Sequence, residues 1–159
     1  MRRSDNFLEI SPIGDTDVDH LPVPNLAEAI AFYETCMGFA VESQHKTPYR
    51  SATLHRDNIR IGLSENGGDP EQASCYISVN DVKLVHKELR HFGVAVSEIR
   101  VDEREGGKYQ VCFVKDPDGL CYCLGQPRRI LKIVPHNPRW SARYQKEAEN
   151  LKEIFGQEY

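Results

Sequence analysis

The amino-acid sequence predicts an α+β domain built from two copies of one strand–helix–strand–strand–strand unit. Three observations carry this. Asp116-Pro117-Asp118-Gly119 marks a tight turn between two β-rich stretches, Lys108–Lys115 and Leu120–Leu124. Pro117 presets φ there and Gly119 supplies the positive-φ position. A weaker copy lies 61 residues earlier, where Asp57-Asn58 precedes Ile59, Ile61 and Leu63. Finally, Val23-Pro24-Asn25-Leu26 answers Val79-Asn80-Asp81-Val82 at an offset of 56 residues, and a helical pattern follows each. The residues that lengthen the second offset fit in the loop Val101–Gly107. One unit has a sheet with too little cover to stand alone, whereas two can share a core.

In chain order, Phe7–Ile13 is expected as an extra strand within an N-terminal segment, 1–17, and Pro12 limits it to a sheet edge. Val18–Val23 aligns with Ser74–Val79 and is expected as strand one. Asn25 caps a helix over Ala27–Met37; Ala29, Ile30, Phe32 and Tyr33 give its apolar face, and Gly38 stops it. Strands over Phe39–Gln44, Tyr49–His55 and Ile59–Ser64 complete module one, 18–66. The polar stretch Glu65–Gln72 links to module two, 73–125. That module runs through Ser74–Val79 to a helix over Lys83–Phe92, capped by Asp81, with Val82, Val85, Leu89 and Phe92 as its face. Val94–Val101, Lys108–Lys115 and Leu120–Leu124 follow, and the acidic stretch Asp102–Glu105 is expected as a solvated connector. In the C-terminal extension, 126–159, Asn137-Pro138 starts an amphipathic helix striped by Trp140, Tyr144, Ala148, Leu151 and Phe155. This helix either covers its own domain or packs on a second copy.

Composition narrows the function. The apolar content of 40% suffices for one core. The net charge of −4 argues against a general phosphate-binding surface, hence against a nucleic-acid partner. No apolar run approaches the roughly 20 residues that a membrane helix needs, and no apolar signal segment follows Met1-Arg2-Arg3-Ser4. The five cysteines are odd in number and lack a C-x-x-C, so free thiols in the cytoplasm are expected.

Several of these segments resemble one family. Asn25-Leu26, Ala29-Ile30-Ala31-Phe32-Tyr33 and Met37-Gly38-Phe39 are similar to its D-L…A-x-x-F-Y…L-G-F segment. Val79-Asn80-Asp81 resembles its V-x-D segment, and Asp116-Pro117-Asp118-Gly119 its D-P-D-G turn. The chain thus resembles, over Val18–Gly125, the vicinal oxygen chelate superfamily of glyoxalases, bleomycin-resistance proteins and dioxygenases. The resemblance implies two βαβββ modules forming a curved mixed sheet around a cleft, and paired chains, so a homodimer. It also implies metal ligands at four points, which map here to Val18, Gly62, Ser74 and Cys123. Valine and glycine have no donor side chain, serine is a poor ligand, and one cysteine cannot hold a divalent ion alone. Neither a metal nor any other cofactor is therefore expected.

Alternation along strands identifies the candidate ligand residues. His20, Arg60, Ser74, Tyr76, Cys121 and Cys123 are expected on the mixed, cleft-facing side, opposite the apolar side that packs on the helices. Each has a plainer reading: His20 as a surface residue beside Asp19, Arg60 as a solvated sheet residue, the cysteines as small buried hydrophobes, and Tyr76 as cleft filling. The expected function is metal-independent small-molecule binding of bleomycin-resistance type. The alternatives are a lyase or dioxygenase with an atypical site using His20 or Cys123, and an interaction module acting through the tail helix.

Overall fold

Ten strands and two helices build the domain in a computed structural model that describes residues 5–104 and 107–127. The expected tail helix lies outside the described residues. β1 (Phe7–Ile13) leads through a 3-10 turn (Val18–His20) to β2 (Leu21–Pro22), α1 (Leu26–Cys36), β3 (Ala40–His45), β4 (Ser51–Arg56) and β5 (Ile59–Ser64). A second 3-10 turn (Pro70–Gln72) leads to β6 (Ser74–Val79), α2 (Val82–His91), β7 (Ala95–Val96), β8 (Arg100–Arg104), β9 (Gly107–Lys115) and β10 (Cys121–Pro127). The strands make two mixed sheets. One is four-stranded in the order β2-β5-β4-β3; the other is six-stranded in the order β1-β6-β10-β9-β7, with β8 also on β9. Among the described residues, no helix is long and apolar enough to cross a membrane.

Both helix caps fall where expected. The Asn25 side chain accepts from Glu28 N, and the Asp81 side chain from Leu84 N, each satisfying an amide at a helix start. α1 buries Leu26, Ala29 and Tyr33, and α2 buries Val82, Val85 and Leu89. These side chains and the apolar sides of both sheets form one core. Phe92 does not join it: its position past the end of α2 leaves it 48% exposed.

Two expectations need correction. The expected strand Val18–Val23 is mostly a turn, and only Leu21–Pro22 pairs, parallel to β5. Asp17 accepts from Asp19 N and closes the 3-10 turn before a strand can begin. Secondly, the expected strand Val94–Val101 is two separate pieces, and Asp102 and Glu103 of the expected connector belong to β8, paired antiparallel with β9 from Arg100↔Val111 to Arg104↔Gly107. β1 forms where a strand was expected. It pairs antiparallel with β6, from Phe7↔Val79 to Ile13↔Ser74, as an edge strand consistent with Pro12. Phe7 O accepts from Asn58 N at the start of β5, so β1 lies at the seam between the two sheets.

The D-P-D-G turn and the Phe-Tyr helix, distant in sequence, meet in the core. Tyr33 Oη donates to Asp116 Oδ2 (2.8 Å). It lies 2.6 Å from Tyr122 Oη, and since its single proton goes to the carboxylate, Tyr122 is the donor of that second bond. Burial pushes both phenols well above the usual 10.0. The fold therefore favours the neutral phenols. Their contribution is complete below pH 10.0, where unfolded tyrosine ionises, and is lost as pH climbs from there towards the folded values. An ultraviolet alkaline titration is expected to leave two of the seven tyrosines protonated until the protein unfolds. Ionisation of all the tyrosines together, with the fold intact, would contradict this.

Candidate functional site

The register of the six-stranded sheet places four of the expected residues side by side. β6 and β10 pair parallel, with Ser74 beside Cys121 and Tyr76 beside Cys123. On the other side of β10, Cys121 faces Lys115, Cys123 faces Phe113 and Gly125 faces Val111 across β9. Directly paired residues share a face, so Ser74, Tyr76, Cys121, Cys123, Phe113 and Lys115 all lie on the side away from the helices. Ile77, Val79, Tyr122 and Leu124, in the opposite phase, enter the core.

Tyr76 leans across this face onto Gly125. A Cβ on Gly125 would fall 2.6 Å from Tyr76 Cζ, so only glycine leaves room for the ring. The ring then meets Tyr109 edge to face, with centroids 6.5 Å apart at 85°. Further along β9, the Arg100 guanidinium lies over the Phe113 ring, 4.9 Å from its centroid. The face is thus paved with rings and thiols. Cys123 is only 2% exposed, and burial pushes the partly exposed Cys121 thiol up, which disfavours a thiolate nucleophile. On the core side, burial takes Cys75 and Cys112 to about 12. None of the five cysteines forms a disulfide.

His20 and Arg60 are not brought to this group; both belong to the four-stranded sheet and its preceding turn. His20 Nδ1 lies 3.0 Å from Asp17 Oδ2, and its carbonyl accepts from Asn66 Nδ2 (3.1 Å). Arg60 grips Glu42 with two bonds, Nε to Oε2 at 2.6 Å and Nη2 to Oε1 at 3.3 Å. The hydrogen bond from Arg60 holds the Glu42 carboxyl below its ordinary range. A cavity of about 220 Å³ opens here, lined by Glu42, His55, Asp57, Asn58, Ile59 and Arg60.

The four positions to which the resemblance assigns metal ligands do not fit a metal. Val18 sits in the 3-10 turn, with no donor atom on its side chain. Gly62 is covered by the backbone of that turn, and a Cβ there would lie 2.5 Å from the Asp19 carbonyl carbon. Ser74 and Cys123 stand on neighbouring strands, beside Cys121 and Tyr76 rather than beside further donors. Among the described residues, no group of three or more His, Cys, Asp and Glu side chains is placed to hold a metal ion. Gly62→Ala is expected to cost roughly 1–3 kcal/mol, because the turn must lift to admit a methyl group. Urea unfolding reads this, and a wild-type midpoint would show that the turn is not seated on Gly62.

Tyr109, Phe113 and Arg100 complete the face and were missed in the sequence. In Lys108–Lys115 the alternation puts Tyr109, Val111, Phe113 and Lys115 in one phase, but only the β9–β10 register shows that this phase joins Cys121 and Cys123. Arg100 was hidden because a strand as polar as β8 carries no apolar signal.

A model of the Glyoxalase/Bleomycin resistance protein/Dioxygenase superfamily matches residues 13–123. No curated protein matches the chain. Among solved structures, TnmS3, an antibiotic binding protein from Streptomyces sp. CB03234, aligns with a TM-score of 0.59 at 20% identity, covering 73% of this chain and 98% of that one. The bleomycin resistance determinant encoded on the transposon Tn5 aligns with a TM-score of 0.60 at 20% identity, over 73% of this chain and 100% of that one. A superfamily member from Sphaerobacter thermophilus gives 0.54 at 18% identity, over 72% and 98% respectively. At these identities the likeness is one of fold.

Proposed function

The chain belongs to the Glyoxalase/Bleomycin resistance protein/Dioxygenase superfamily, and we propose that within it the protein is a metal-independent small-molecule binder whose ligand rests on the ring-and-thiol face of the six-stranded sheet. The observation that carries this reading is the fate of the four implied metal positions. Two of them, Val18 and Gly62, lack donor side chains, and the backbone of Asp19 fills the space at Gly62. What remains is a face of Tyr76, Tyr109, Phe113, Cys121 and Cys123, suited to the flat apolar body of a small molecule. An antibiotic binding protein and a bleomycin resistance determinant on the same fold support a binding role of this kind. The enzymatic alternative has less support. His20 is engaged by Asp17, and the candidate thiols are buried or raised.

We take the working form to be a cytoplasmic homodimer. Among the described residues the outer edge of β3 has no strand partner, which favours assembly, and five cysteines without a disulfide suit a reducing compartment. A thermal-shift screen of planar compounds, run in a chelator, tests the binding reading. A true ligand at a hundred times its Kd should add about 2.7 kcal/mol of stability. Tyr76→Ala should remove that gain. Stabilisation that appears only with added metal, or that survives Tyr76→Ala, would count against the proposal.

A further inference from the structure

We propose that the ligand taken by this face is a planar anion, a conjugated ring system bearing a carboxylate, sulfonate or phosphate group. The inference rests on the reading that the face holds a ligand, and adds its charge. Phe113 lies between two cations on that face. Lys115 is two residues along β9, and Arg100 pairs with Val111, two residues the other way. Both are exposed.

Among the described residues neither has a carboxylate partner, although Arg56, Arg60, Arg90 and Lys108 each have one. Asp102, two residues along β8 from Arg100, pairs with Tyr109 and not with Phe113. A guanidinium lying over a phenyl ring is held by the ring's electron density, yet phenyl accepts no in-plane N–H bond. The fork of N–H donors at the guanidinium edge is left for an anion. Lys115 supplies a second charge from the other side of Phe113. Such a ligand would lay its ring over the Phe113 and Cys121 surface and place its charged group towards Arg100 or Lys115.

Two dyes sharing one ring system separate these elements: anilinonaphthalene sulfonate, which is anionic, and N-phenylnaphthylamine, its neutral counterpart. Fluorescence titration of the full-length protein should show the anionic dye binding roughly tenfold more tightly, the scale of a charge-assisted hydrogen bond. The double variant Arg100→Gln/Lys115→Gln should erase that preference, bringing the anionic dye down to the affinity of the neutral one. Phe113→Ala should weaken both dyes, with Phe113→Leu as the milder change should the alanine variant fail to fold. Lys87→Gln, an exposed cation on α2, should change neither. A preference that survives the double variant would overturn the anion inference while leaving the ligand reading intact, provided the Phe113 variants still weaken both dyes. If the Phe113 variants change neither dye, or if neither dye binds, the ligand reading of the face falls as well.

Discussion

Arg56→Ala is expected to destabilise the domain by roughly 3–5 kcal/mol, the range for removing one partner from a buried ion pair. The Arg56 side chain is 2% exposed and joins four elements. Nη1 donates to the Met37 carbonyl at the end of α1 (2.8 Å), and Nη2 pairs with Glu88 Oε1 on α2 (2.8 Å). Nε lies 3.6 Å from Asp57 Oδ2, and the guanidinium stands 4.0 Å from the Phe7 ring centroid, on β1. Asp57 in turn accepts from Asn6 N and Phe7 N, fastening the chain that enters β1. Alanine would take the guanidinium from Glu88 and the donor from Met37 O, and would open a cavity beneath Phe7. Glu88→Gln, at a partly exposed position, should cost less than about 1.5 kcal/mol because an acceptor remains. Chemical denaturation of both variants reads the difference. A cost below about 1 kcal/mol for Arg56→Ala would mean that the network is not a joint between the modules.

An effect of similar size, roughly 3–5 kcal/mol, is expected for Asp116→Ala. Asp116 is 5% exposed and every bond it makes is internal. Oδ1 accepts from Asp118 N and Leu120 N, both at 2.9 Å, which holds the turn; Oδ2 accepts from Tyr33. Alanine would leave two amides and the Tyr33 hydroxyl without their acceptor. Tyr33→Phe removes the donor to Asp116 and the acceptor of Tyr122 but leaves the turn's own bonds, and should cost roughly 1–3 kcal/mol. The two changes share one network, so their effects should not add. Strict additivity in a double-mutant cycle would show that the turn and α1 are held independently.

What could be read in the sequence divides along the range of the interactions. The turns, both caps and the order of most strands are set by neighbours within a few residues, and Asn25, Asp81 and the D-P-D-G turn stand where the pattern put them. Alternation also put Ser74, Tyr76, Cys121 and Cys123 on one face. It failed at Val18–His20, where Asp17 closes a turn and the turn rests on Gly62, a glycine more than 40 residues away. Arg60 showed the same limit. Its partner Glu42 lies at the irregular register step in β3 between Val41 and Ser43, and strand periodicity does not reveal a bulge. The contribution of Tyr109, Phe113 and Arg100 depends on pairing between strands, which no local pattern encodes.

The central claim is that the implied metal positions have given way to a face that binds without metal, and the metal content of the full-length protein tests it most directly. After dialysis, elemental analysis is expected to find no stoichiometric zinc, iron or nickel, since the Val18, Gly62, Ser74 and Cys123 set offers one competent ligand where such sites use three or four. About one metal ion per chain, lost on Cys123→Ser, would contradict it.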